Sequence, residues 1–189
     1  KLSKGTMVRS KISEQEQTLS LQQAIDLAVQ HHNEGRLSDA ENIYQQILQT
    51  DPDQPVALHL LGVIAHQMGE NDLAVDRITR ALHLKPDLAE AHSNLGAALR
   101  DLGRLEEAEA SYREALDLKS DYAEAHNNLG TVLQDLGRLE EAKASYRKAL
   151  DLKSDYAEAH SNLGSTLQDL GKLEEAVPSF QKALDLKPE

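Results

Sequence analysis

With 189 residues, a formal charge of −12 (32 Asp and Glu against 20 Lys and Arg) and no cysteine, the chain excludes several chemistries at once. An acidic chain repels phosphate, so nucleic acid is a poor partner, and without thiols there is no disulfide, thiolate nucleophile or thiolate-bound zinc. Tryptophan is absent and phenylalanine occurs once, so the core must be built from Leu, Ala, Ile, Val and a few Tyr, a composition suited to close helix packing and poor in strand formers.

The first 20 residues read as a tail outside the main fold. Met7 reads as the native start, which makes Lys1–Thr6 an appended leader. Ser13 and Glu16 stand at capping-box spacing, so residues 7–18 are expected to form a short helix or to stay unfolded. No apolar segment of secretory type occurs here and no run is long enough to span a bilayer, so neither a membrane partner nor a location outside the cytoplasm is expected.

From Leu21 onward the chain repeats itself every 34 residues. Ala89–Tyr122 is rewritten almost letter for letter as Ala123–Tyr156, and a third copy runs over Ala157–Glu189. Leu21–Gln54 and Pro55–Leu88 are more divergent copies, so the array has five units. Each unit reads as two short amphipathic helices. In Ala89–Tyr122 the first carries Leu95, Leu99 and Leu102, Gly103 ends it, and the second carries Ala108, Tyr112, Ala115 and Leu116 on one stripe. Ser20 with Gln23, Asp87 with Glu90, Asp121 with Glu124 and Asp155 with Glu158 are each spaced to cap a first helix. One such unit cannot bury its apolar face alone, so the units must stack.

Leu95, Gly96, Ala108, Tyr112 and Ala115, repeated as Leu129, Gly130, Ala142, Tyr146 and Ala149 and then as Leu163, Gly164, Ala176, Phe180 and Ala183, resemble the tetratricopeptide repeat, whose period is also 34 residues. The chain departs from that pattern at His92, His126 and His160, which replace an aromatic, and at Ser120 and Ser154, which replace a proline. The histidines recur once per helix pair, about 10 Å apart, too far to share a zinc, and read as packing residues. The resemblance implies an all-α, right-handed solenoid of antiparallel helix pairs, with a concave groove lined by each unit's first helix that binds peptides or partner chains.

Helical periodicity places Asn94, Asn127, Asn128, Arg100, Asp101, Gln134, Asp135, Gln168 and Asp169 opposite the leucine stripe, and Asn162 completes a column with Asn94 and Asn128. A column of amides can bracket an extended peptide backbone, and it resembles the asparagine ladder in the repeat arrays of O-linked N-acetylglucosamine transferases. The aspartates favour neutral or basic segments and argue against a carboxylate clamp, which needs several cations where only Arg100 qualifies. No phosphate loop, nucleophile or metal cluster is apparent, so neither enzymatic activity nor a cofactor is expected. A binding scaffold, the substrate-recruiting array of a larger glycosyltransferase-type enzyme, and a self-assembling scaffold all fit these residues. No polar capping helix follows Leu184, which suggests an array cut from a longer one and end-to-end association of its open face. Pro178 removes one backbone donor from the last helix and is expected to kink or fray it.

Overall fold

The computed structural model describes residues 7–9 and 18–187, which fall into two units, Lys1–Asp87 and Leu88–Glu189. The first opens on a two-stranded antiparallel ribbon, β1 (Met7–Arg9) and β2 (Thr18–Ser20), with Val8 opposite Leu19. The helix expected over 7–18 is therefore not formed at either end of that span; Ser13 and Glu16, like Lys1–Thr6, lie outside the described residues. Four helices follow: α1 (Leu21–Asn33), α2 (Leu37–Thr50), α3 (Pro55–Gln67) and α4 (Asn71–Leu84). Leu19 and Leu21 pack on a core that includes Ala24, Ala28, Tyr44, Ile47 and Leu61.

The second unit is three helix pairs: α5 (Ala89–Asp101) with α6 (Leu105–Leu118), α7 (Ala123–Asp135) with α8 (Leu139–Leu152), and α9 (Ala157–Asp169) with α10 (Leu173–Leu186). The all-α reading holds: ten helices carry the described chain beyond β2. Each pair turns on a glycine. Gly103 sits at φ 73°, a left-handed conformation that other residues adopt only with strain, and its N–H donates to the Arg100 carbonyl. The helix α10 runs through Pro178 without interruption, so the expected fraying does not occur.

The helix starts divide into two kinds. Ser20 closes a full capping box with Gln23, and the Gln54 side chain caps α3 through the Ala57 N–H. The capping boxes expected at Asp87, Asp121 and Asp155 are absent, because the residues in the cap position are Leu88, Tyr122 and Tyr156, one step further on, with no side-chain cap bond. Packing holds these starts instead. The Lys119 ammonium lies 4.7 Å from the centre of the Tyr122 ring and 3.3 Å from Glu90, and Lys153 lies 4.9 Å from Tyr156 and 3.7 Å from Glu124. The second helices start on Arg104 and Arg138, which reach forward to Glu107 and Glu141 at 2.6 Å. Arg138 also bonds Glu109 of α6 at 2.6 Å, where Glu109 is mostly buried, so a chain of alternating charges crosses from one pair to the next.

Candidate functional site

What positions the candidate residues is a repeated contact between a glycine and a ring. Gly96, Gly130 and Gly164 on the first helices face Tyr112, Tyr146 and Phe180 on the second. A Cβ on Gly130 would stand 2.7 Å from the Tyr146 ring, so only glycine lets the helix backbone rest on the aromatic face. Tyr112 and Tyr146 are fully buried, and burial pushes the Tyr146 phenol up to about 12 and raises that of Tyr112 as well. With these anchors in place, α5, α7 and α9 present equivalent positions in succession.

Between α7 and α9 those positions are cross-linked. The Tyr146 hydroxyl lies 3.2 Å from both Thr131 Oγ1 and Gln134 Oε1. Gln134 Oε1 also lies 3.1 Å from Thr166 Oγ1, and Gln134 Nε2 donates to Asp169 Oδ2 at 3.2 Å. Asn127 donates to Glu158 Oε1 at 3.2 Å and accepts from Asn162 Nδ2 at 3.1 Å. Asn127 is 0% exposed, so the sequence reading of it as a groove-lining residue is corrected. It sits inside the junction because its helix face is covered by the next unit, a neighbour that periodicity within one helix cannot register.

Between α5 and α7 the corresponding set is absent. Ala97 stands where Thr131 does, Arg100 where Gln134 does, Val132 where Thr166 does and Ser93 where Asn127 does. A methyl, a guanidinium and an isopropyl group cannot accept hydrogen bonds. Ser93 is buried and bonds the Tyr122 phenol, whose pKa burial raises. Arg100 lies 3.3 Å from Asp101. The Tyr112 hydroxyl is buried without a partner at hydrogen-bonding geometry, with the Asn128 amide as a polar neighbour. An unpaired buried hydroxyl costs the fold something.

The remaining candidates fall on one succession of faces. Asn94, Asn128 and Asn162 are half-buried on α5, α7 and α9, while Asp101, Asp135, Gln168 and Asp169 are exposed at the C-terminal ends of those helices. The sequence reading missed Thr131, Tyr146, Thr166 and Glu158 as members of a network. The available signal was the joint change from Ala97 and Arg100 to Thr131 and Gln134 between adjacent copies. The histidines serve elsewhere: the His126 and His160 Nε2 atoms lie 3.1 and 3.0 Å from the carbonyl oxygens of Ser120 and Ser154. The two departures from the repeat pattern thus meet, each histidine tying its helix to the preceding loop. Burial lowers the pKa of His126. Among the described residues, no group of three His, Cys, Asp or Glu is placed to hold a metal, and no helix is long and apolar enough to cross a membrane.

Compared with known families, the chain matches the tetratricopeptide repeat over residues 53–121, 87–155 and 121–189. No curated protein sequence matches it significantly. Among solved structures it is similar to MamA, at 26% identity and a TM-score of 0.76, over 86% of this chain and 95% of that one. It also shares its fold with YrrB, described as a TPR protein with an unusual peptide-binding site, at 23% identity and a TM-score of 0.72, over 88% of this chain and 86% of that one. A third likeness is to pilF of Pseudomonas aeruginosa, at 22% identity and a TM-score of 0.80, over 88% of this chain and 76% of that one.

Proposed function

We propose that this chain, which belongs to the tetratricopeptide repeat family, is an interaction scaffold that holds an extended peptide or partner segment along the faces of α5, α7 and α9. The observation that carries the reading is the contrast between the two junctions. At α7–α9, Gln134, Asn127 and Asn162 are engaged with protein groups. At α5–α7, Arg100 and the buried Tyr112 hydroxyl have no cross-helix bond of that kind. The ligand's main polar contacts therefore fall at α5–α7, with the Asn94 and Asn128 amides bracketing its backbone and Arg100 donating to its carbonyls. Asn162, Gln168 and Asp169 extend the track beyond that point.

Charge selects the ligand. Asp101, Asp135 and Asp169 stand along this track with Arg100 as the cation among them, on a protein of net charge −12, so lysine- and arginine-bearing segments are drawn in and acidic ones repelled. The description of YrrB as a peptide binder supports a peptide ligand for this fold. The likeness to the N-acetylglucosamine transferase arrays rests on the asparagines alone, and no catalytic role is proposed for this chain.

Selection of random displayed peptides on the intact chain tests the reading. Enrichment of neutral to basic peptides is expected, with binding weakened at least about tenfold when Asn94, Asn128 and Arg100 are all replaced by alanine. Acidic peptides, or peptides indifferent to those replacements, would defeat it.

A further inference from the structure

The side of α7 turned away from Asn128 carries a second opening. His126 lies two residues from Asn128 along the helix and so faces nearly the opposite way. Here α7 packs against both α6 and α8, and the three helices line an open cleft of about 420 Å³, within the size of small-molecule sites. Its apolar surface comes from Leu116, Leu129 and Ala144, one from each helix. Helical spacing sets polar side chains beside them: Arg113 and Asp117 on α6, His126 on α7, and Ser145 and Lys148 on α8.

Arg113 and His126 are already engaged. The Arg113 guanidinium lies 2.8 Å from Glu109 and 3.8 Å from Glu141, and His126 Nε2 lies 3.1 Å from the Ser120 carbonyl oxygen. Asp117, Ser145 and Lys148 are open. Among the described residues neither Asp117 nor Lys148 enters an ion pair, and the two stand too far apart to pair with each other. Ser111 and Ser179, the equivalents of Ser145, donate to the Glu107 and Glu175 carbonyls one turn back, and the half-buried Ser145 makes no such bond. Lys148 stands where the preceding copy has Glu114, one of the few changes between two nearly identical units. Burial, and after it the Lys148 charge, lowers the His126 pKa, so the ammonium lies towards the imidazole.

We propose that this cleft binds a free dipeptide of aliphatic residues, with its ammonium on Asp117, its carboxylate on Lys148 and Ser145, and its side chains on Leu116 and Leu129. Two opposite charges without partners, on separate walls of an apolar cleft, are both satisfied by a zwitterion, whereas a ligand of one sign would meet one of them as a repulsion. An extended dipeptide spans about 7 Å, enough to bridge charges that do not reach each other. Lys182 repeats the ammonium one period on, but Pro178 there replaces Ala144 on the wall. The proposal does not rest on the peptide track. Displayed peptides are joined to a carrier at one end and so lack one of the two charges, which keeps the two tests apart.

The test titrates leucyl-leucine with free termini into the isotopically labelled intact chain and follows it by NMR. Shifts are expected at the amides of Leu116, Asp117, Leu129, Ser145 and Lys148. Acetylating the amino end or amidating the carboxyl end removes one charge, and each is expected to weaken binding about three- to fivefold, the weight of a partly exposed ion pair. In Lys148→Gln the amidated form should bind as well as the free dipeptide, and in Asp117→Asn the acetylated form should. Both side chains are exposed, so circular dichroism of the variants should match the parent. Absence of shifts in the cleft would overturn the proposal, as would shifts centred on Asn94 and Asn128. Binding indifferent to both blocking groups would assign the cleft to an interior segment of a longer chain and also overturn it.

Discussion

The α5–α7 and α7–α9 junctions descend from nearly the same sequence and share the same apolar frame, yet the hydrogen-bonded set of Tyr146, Thr131, Gln134 and Thr166 closes only the second. Gly96 on Tyr112 and Gly130 on Tyr146 are alike to within a few tenths of an ångström, and both tyrosines are fully buried. The difference lies in a few changes, chiefly Ala97 against Thr131, Arg100 against Gln134 and Val132 against Thr166. Where those positions can exchange hydrogen bonds they tie the helices together; where they cannot, the Tyr112 hydroxyl is buried without a partner. A repeat array can therefore hold its packing constant and vary its cross-links through the layer just above it.

The largest effects should come from attacking the shared frame. Gly96→Ala and Gly130→Ala each push a methyl group into a tyrosine ring, and each is expected to cost about 1–3 kcal/mol in urea denaturation. Clearly unequal costs would show that the frames differ too. Removing the hydroxyls separates the junctions: Tyr146→Phe is expected to cost about 1 kcal/mol, whereas Tyr112→Phe is neutral or slightly stabilising because no bond is lost. Equal losses would contradict the contrast.

Grafting the closed layer onto the open junction, with Ala97→Thr, Arg100→Gln and Val132→Thr together, is expected to add about 0.5–1 kcal/mol. It should slow amide exchange in α5 and reduce capture of basic peptides. A graft that left peptide capture intact would show that the open junction is not the binding locus. The smallest effect concerns pH. Burial lowers the His126 pKa, so the folded state prefers the neutral ring; that contribution is complete above the unfolded value of 6.5 and is lost as pH falls below it. Urea midpoints should fall between pH 8 and pH 5 by more in the parent than in His126→Gln, whose amide can still donate to the Ser120 carbonyl.

Much of this was legible in the sequence. The leucine and alanine stripes gave the helix pairs, and the glycine and aromatic positions gave their contacts, because both are set within a single unit. The capping box at Ser20 and Gln23 was equally readable, since it depends on residues three apart. The caps predicted at Asp121 and Asp155 failed because Tyr122 and Tyr156 take the cap position, each ring covered by the lysine that ends the preceding helix, Lys119 or Lys153. Asn127 was misplaced for a related reason. A helix in a stack is covered by its own partner and by its neighbours, so a polar residue off the main stripe can still be wholly enclosed.

The ion pair between Glu109 and Arg138 lies on the second-helix side of the boundary whose first-helix side has Ala97, Arg100 and Val132 in place of Thr131, Gln134 and Thr166. Mechanically, the boundary is held by charge along one edge and by fewer side-chain bonds of that network along the other, like a book bound at its spine. Small rotations about that edge would widen the space between α5 and α7 while leaving the glycine and tyrosine contacts within each pair untouched. Segments of different girth could then be admitted at the price of one soft rotation, with no helix having to unwind.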